Sequence, residues 1–125
     1  MNKVLRVIVA IPGVLFVIIG LSWLMDPATA AKNLGMPLLD GLGRSSQIGD
    51  FGAFFTVGGA MVLIGVITQR RTWLYAPAML LCGAAVFRTL AWMIQGAAFA
   101  VPQIVVEVVL AVFLLFAASR LPSDR

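Results

Sequence analysis

Residues 73–94 read WLYAPAMLLCGAAVFRTLAWMI, an apolar run interrupted by one formal charge, Arg88. At 1.5 Å per residue a helix of this length matches the ~30 Å hydrocarbon core of a bilayer. Three runs of the same kind surround it, at about 5–25, 47–68 and 102–119. Backbone groups in lipid must be satisfied inside the segment, and these lengths do not suit barrel strands. The chain is therefore predicted to be all-α: a four-transmembrane-helix bundle forming a single integral membrane domain over residues 1–125.

Composition agrees. The sequence is 62% hydrophobic and 11% charged, too little polar surface to cover a soluble domain of 125 residues. The net charge of +4 would hint at nucleic acid in a soluble chain. Here the charges gather at segment ends, which indicates membrane orientation and no nucleic-acid partner. In a four-span layout Lys3, Arg6, Arg70, Arg71, Arg120 and Arg125 fall on one side, while Lys32 and Arg44 fall on the other, offset by Asp26 and Asp40. Short flanks rich in Lys and Arg stay inside, so both termini are expected in the cytoplasm. The first run has a basic flank and an ATA at 28–30 that resembles a cleavage site, but its apolar stretch is too long for a signal core, so it is expected to be a retained helix. Trp23, Trp73 and Trp92 lie near span ends, as interfacial aromatics do.

The longest connection is DPATAAKNLGMPLLDGLGRSSQ, residues 26–47. Asp26 suits an N-cap, Pro27 the first helical position, and Gly35 followed by Pro37 a stop. A short interfacial helix at about 27–34 is expected in this first outer loop. The partly apolar PLLDGLG after it reads equally as a lid and as a connector. There is one cysteine and no histidine, which removes an internal disulfide, the commonest zinc and haem ligand and the usual neutral-pH base. No metal site and no cofactor is expected. Cys82, in an apolar run, reads as a small buried hydrophobe. The glycines at 13, 20, 58, 59 and 65 read as packing positions without a clean Gly-x-x-x-Gly pattern. FGAFF at 51–55 reads as core rather than as a cavity wall.

Three ionisable residues lie inside the spans: Asp50, Arg88 and Glu107. Counted from the outer span ends they sit about 5, 10 and 8 Å deep, one layer in the outer half. Ala84, Ala85 and Ala91 share the face of Arg88 and admit a close neighbour. An isolated charge at mid-membrane costs roughly 2.5–3.5 kcal/mol on insertion scales, and pairing removes much of it. Arginine keeps its charge and offers a fork of donors for two carboxylates. An Asp50–Arg88–Glu107 cluster facing the bundle interior is thus expected, with Gln47, Gln95 and Gln103 extending a polar track outward and Phe54 and Trp92 nearby. Its surplus negative charge is balanced either by a proton or by a cation or amine-bearing ligand.

Over GDFGAFFTVGGAMVLIG (49–65), RRTWLYAPAMLL (70–81), FRTLAWMIQG (87–96), VEVVLAVFLL (106–115) and GLSWLMDPATAAKNLG (20–35), the chain resembles an uncharacterised bacterial family of small four-helix integral membrane proteins, a domain of unknown function. The resemblance covers nearly the whole length and implies a four-span bundle, with the Asp-Phe-Gly of 50–52, Arg88, Gly96 and Glu107 as recurrent features. The chain departs from the family pattern at Ile48 and Gly49, where an arginine often precedes the aspartate, and at Gln95, where an acid is common before Gly96. The charge balance of the site therefore does not carry over, and the family implies no activity.

Three functions follow from these residues. The cluster binds a lipid or other amphiphile, with the protein alone, as a homo-oligomer or as an accessory subunit of a larger membrane complex. Alternatively it serves a small membrane enzyme or proton-linked transporter, Asp50 or Glu107 acting as acid or base and Arg88 as electrostatic stabiliser. Alternatively it is a purely structural triad that sets helix packing. The sequence lacks a Ser–His or Cys–His pair and a phosphate loop, which weighs against most enzyme classes.

Overall fold

The computed structural model describes residues 1–122, which are all-helical with no strand. The elements are α1 (Lys3–Met25), α2 (Pro27–Asn33), α3 (Gly41–Ser46), α4 (Gly52–Thr68), α5 (Thr72–Gln95) and α6 (Val101–Ser119). A π-helical turn, Gln47–Phe51, joins α3 to α4, so that Gly41–Thr68 runs as one long helix. Four helices, Lys3–Met25, Gly41–Thr68, Thr72–Gln95 and Val101–Ser119, are long and apolar enough to cross a membrane, as in a multi-pass membrane protein. Arg125, one of the charges used for orientation, lies outside the described residues.

Local chemistry sets the helix ends. The Asn2 side chain accepts from Leu5 N at 2.8 Å and starts α1. Asp26 accepts from Thr29 N at 3.4 Å, with Pro27 in the first turn, and starts α2. Gly35 at φ 77° and Gly96 at φ 67° take the left-handed conformation just after α2 and α5, which only glycine adopts at no steric cost. The PLLDGLG segment is neither wholly lid nor wholly connector. Its second half opens α3, and its first half is a strap leading into that helix.

The bundle is two antiparallel pairs, α1 with α4 and α5 with α6. The first pair is bound by close approach. A Cβ on Gly59 would lie 2.5 Å from the Gly13 carbonyl oxygen and 2.8 Å from Val17 N, and one on Gly20 would lie 2.5 Å from Thr56 N. Small residues at such crossings let backbones meet where lipid gives no hydrophobic drive for helices to associate. The packing role expected of Gly13, Gly20 and Gly59 is thus observed; Gly65 meets the side chains of Trp73 and Leu74 instead of backbone, and Gly58 has only an ordinary contact with Phe16.

The two pairs meet at the end that carries the start of α1 and the finish of α6. Val9, Val62, Val66, Leu74, Ala78, Leu81, Ala111, Leu114 and Ala117 form the core there. Arg71 closes it by donating from its guanidinium to the Leu121 carbonyl. At the opposite end a smaller cluster, Trp23, Ala30 and Ala31, is covered by Leu34, Met36, Leu38, Ile48 and Phe51. Trp23 is correspondingly 0% exposed and stacks on Phe51 at 5.2 Å, so it fastens α2 to the bundle instead of lying at a water interface. Cys82 corrects the sequence reading in the other direction: it is exposed on α5. In a bundle of this size much of each helix faces outward, and an apolar solvent accepts a thiol there as readily as a core does.

Candidate functional site

Above the shared core the two helix pairs diverge, and an open cavity of about 700 Å³ lies between them. Leu81 and Leu110, at the top of the core, form its floor. One wall is Phe16, Ile19 and Ser22 of α1 with Phe51, Phe54 and Phe55. The other is Ala84 and Arg88 of α5 with Pro102, Gln103, Val106 and Glu107 of α6. Ala30 and Asn33 of α2, with Leu34 just after it, border the cavity on the side of the first pair. All three intramembrane charges, Asp50, Arg88 and Glu107, line this one space.

Their pairing differs from the expected triad. Arg88 Nε donates to both oxygens of Glu107, at 2.9 and 3.1 Å. The Glu107 side chain is 12% exposed and that of Arg88 38%. The bond ties α5 to α6, two helices joined by the short Gly96–Ala100 connection. Neither Arg88 Nη has a hydrogen-bond partner among the described residues, so much of the donor fork remains available. Asp50, carried by the π-turn on the opposite wall, is exposed and has no ion pair or hydrogen bond among the described residues. The reason is architectural: Asp50 belongs to one helix pair and Arg88 to the other, and the pairs separate at this level. The π-turn is a single-turn distortion of a kind frequent at functional positions.

The neutral residues divide. Gln103 and Phe54 line the cavity. Gln47 does not: it is 5% exposed, its Oε1 accepts from Leu39 N at 2.8 Å and its Nε2 donates to the Pro37 carbonyl at 3.0 Å. It therefore pins the strap before α3, and the polar track ends short of it. Gln95, the last residue of α5, and Trp92 lie outside the cavity lining. Trp92 stacks on Phe99 at 4.5 Å across the α5–α6 connection. The FGAFF run, expected in the core, is a cavity wall, in which Phe54 and Phe55 meet edge to face at 5.1 Å and Phe55 meets Phe16 at 5.2 Å. Sequence reading missed Phe16, Ile19, Ser22 and Asn33; nothing in an apolar helix or a short loop helix distinguishes them before the pairs are placed.

Chemically the cavity has a charged band and an apolar remainder. The Arg88–Glu107 pair neutralises itself, the free Nη groups offer donors, Asp50 offers an acceptor, and aromatic and aliphatic side chains fill the rest. No family model, curated protein or solved structure matches the chain.

Proposed function

We propose that this protein holds a lipid or other amphiphile between its helices, the polar head on Arg88, Glu107 and Asp50 and the apolar part against Phe54, Phe55 and Leu110. A single observation carries the reading: one cavity of about 700 Å³ combines unused guanidinium donors with an apolar wall. Its volume is in the range of small-molecule sites, which are mostly apolar with a few placed polar groups. Intramembrane ionisable residues facing a cavity mark sites and pathways more often than they mark packing. The Arg88–Glu107 bond also braces α5 against α6, and both roles fit one side-chain pair.

In this proposal the protein sits in the bacterial inner membrane with both termini in the cytoplasm and the cavity in the outer half. The resemblance to small four-helix bacterial proteins and the basic residues gathered at the terminal end support that placement. The protein works alone, as an oligomer or as a subunit of a larger complex; residues of one chain line both walls of the cavity. The test is gentle extraction in bilayer nanodiscs followed by native mass spectrometry. A stoichiometric amphiphile is expected, and Ala84→Trp, which fills the cavity from α5, should displace it. An empty wild-type protein, or retention unchanged in the filled variant, refutes the reading.

A further inference from the structure

The charge pattern of the cavity specifies the headgroup, given that the cavity is an amphiphile site. Glu107 spends both oxygens on Arg88, while Arg88 spends only its Nε, leaving its Nη groups without partners among the described residues. Asp50 faces the same space with its carboxylate likewise unengaged. The cavity therefore holds a donor fork inside a neutralised pair and, on the other wall, an uncompensated negative charge.

Each simple headgroup meets a penalty here. An anion gains the Arg88 donors but enters a site whose formal charge is already negative. A cation satisfies Asp50 and leaves the fork idle. An uncharged head uses neither group at full strength. A molecule carrying both signs, an anion at one end of a short linker and an ammonium at the other, satisfies both walls at once. Phosphate suits the guanidinium fork geometrically. The ammonium would lie beside Phe51 and Phe54, which line the cavity with Asp50.

We infer that the ligand is a zwitterionic phospholipid-type amphiphile, its phosphate on the Nη groups of Arg88 and its ammonium on Asp50. The assignment rests on the amphiphile reading and adds orientation to it: the headgroup bridges the two helix pairs at the level where they separate. Gln103, one helical turn before Glu107, contributes a neutral amide to the same band.

The experiment reconstitutes the full chain in nanodiscs containing phosphatidylethanolamine, phosphatidylglycerol and diacylglycerol with identical acyl chains, and reads the retained lipid by native mass spectrometry. Wild type should retain phosphatidylethanolamine about ten-fold over phosphatidylglycerol, which lacks the ammonium, and about a hundred-fold over diacylglycerol, which lacks the phosphate as well, at about ten-fold for each charge-assisted hydrogen bond. Asp50→Asn removes no intramolecular bond and leaves an exposed position nearly isosteric. It should lower the preference for phosphatidylethanolamine over diacylglycerol about ten-fold and leave the share that the phosphate contributes through Arg88. That ratio separates ammonium binding from simple repulsion of phosphatidylglycerol, because diacylglycerol has no charge to repel. Equal retention of all three lipids, a preference for phosphatidylglycerol, or an unchanged ratio in Asp50→Asn overturns the zwitterion while leaving an amphiphile site in place. Retention of no lipid at all overturns the amphiphile reading itself, and the zwitterion with it.

Discussion

Removing one partner of the Arg88–Glu107 pair should cost far more than removing both. Arg88→Met leaves the Glu107 carboxylate, 12% exposed, without the donor that now contacts both of its oxygens. Breaking a fully buried pair costs about 3–5 kcal/mol because the remaining charge is stranded. Arg88 is 38% exposed and the cavity is open, so screening lowers the expectation to about 2–3 kcal/mol. Adding Glu107→Leu removes the stranded charge and restores an apolar α5–α6 contact. Replacement of a buried pair by apolar residues is often neutral or better, so the double variant should recover to within about 1 kcal/mol of wild type. Adding Glu107→Leu then recovers about 2 kcal/mol in the Arg88→Met background, well above the scatter for independent sites. Reversible unfolding in mixed micelles, or steric trapping in bilayers, measures it. The same double variant should lose the bound amphiphile although it is folded, which separates the bracing role from the binding role. A double variant as unstable as Arg88→Met refutes the electrostatic reasoning; a stable double variant that retains its ligand unchanged refutes the site.

Three further outcomes follow from the packing. Gly59→Ala pushes a methyl to 2.5 Å from the Gly13 carbonyl oxygen, rigid backbone that cannot turn aside, and should cost roughly 1–3 kcal/mol or more; Gly49→Ala, with nothing within 4 Å of the new atom, is the control and should be silent in the same unfolding assay. Gln47→Leu deletes the bonds to Leu39 N and the Pro37 carbonyl, at about 1–2 kcal/mol since water can reach the freed groups. Hydrogen exchange should accelerate over residues 36–46 and stay slow in α5 and α6; uniform acceleration would mean that Gln47 supports the whole bundle. Cys82→Leu, at an exposed position on α5, should change stability by less than about 0.5 kcal/mol in the same unfolding assay. A loss of about 1–3 kcal/mol from overpacking would place the side chain inside.

Much of the site was legible before folding. An arginine and two carboxylates in apolar runs can only be accommodated together or at a surface, and counting from the span ends put all three in one layer. The cavity does gather Asp50, Arg88 and Glu107. What spacing could not supply was the gap between them, because the distance from Asp50 to Arg88 depends on how far one helix pair leans from the other. Gln47 shows a similar limit. Its place in the chain fits an outward polar track, yet its amide satisfies the strap at Pro37 and Leu39, a demand created only when Met36 and Leu38 pack onto the cluster of Trp23, Ala30 and Ala31.

Sequence by itself determined four apolar helices, three of them with limits within two residues and the second begun six residues after the Gly41 start of its helix, and the capped helix after Asp26. These are one-dimensional quantities, set by the free energy of moving residues between water and hydrocarbon and by local backbone chemistry. Tertiary structure alone decided direction: Trp23 inward, Cys82 outward, the phenylalanines of 51–55 onto a cavity, and Arg88 to Glu107 rather than to Asp50. In a water-soluble helix the apolar stripe would have announced those directions. Inside a membrane the core and the solvent are both apolar, so the stripe vanishes, and close contacts such as Gly59 against Gly13 set which way each side chain points.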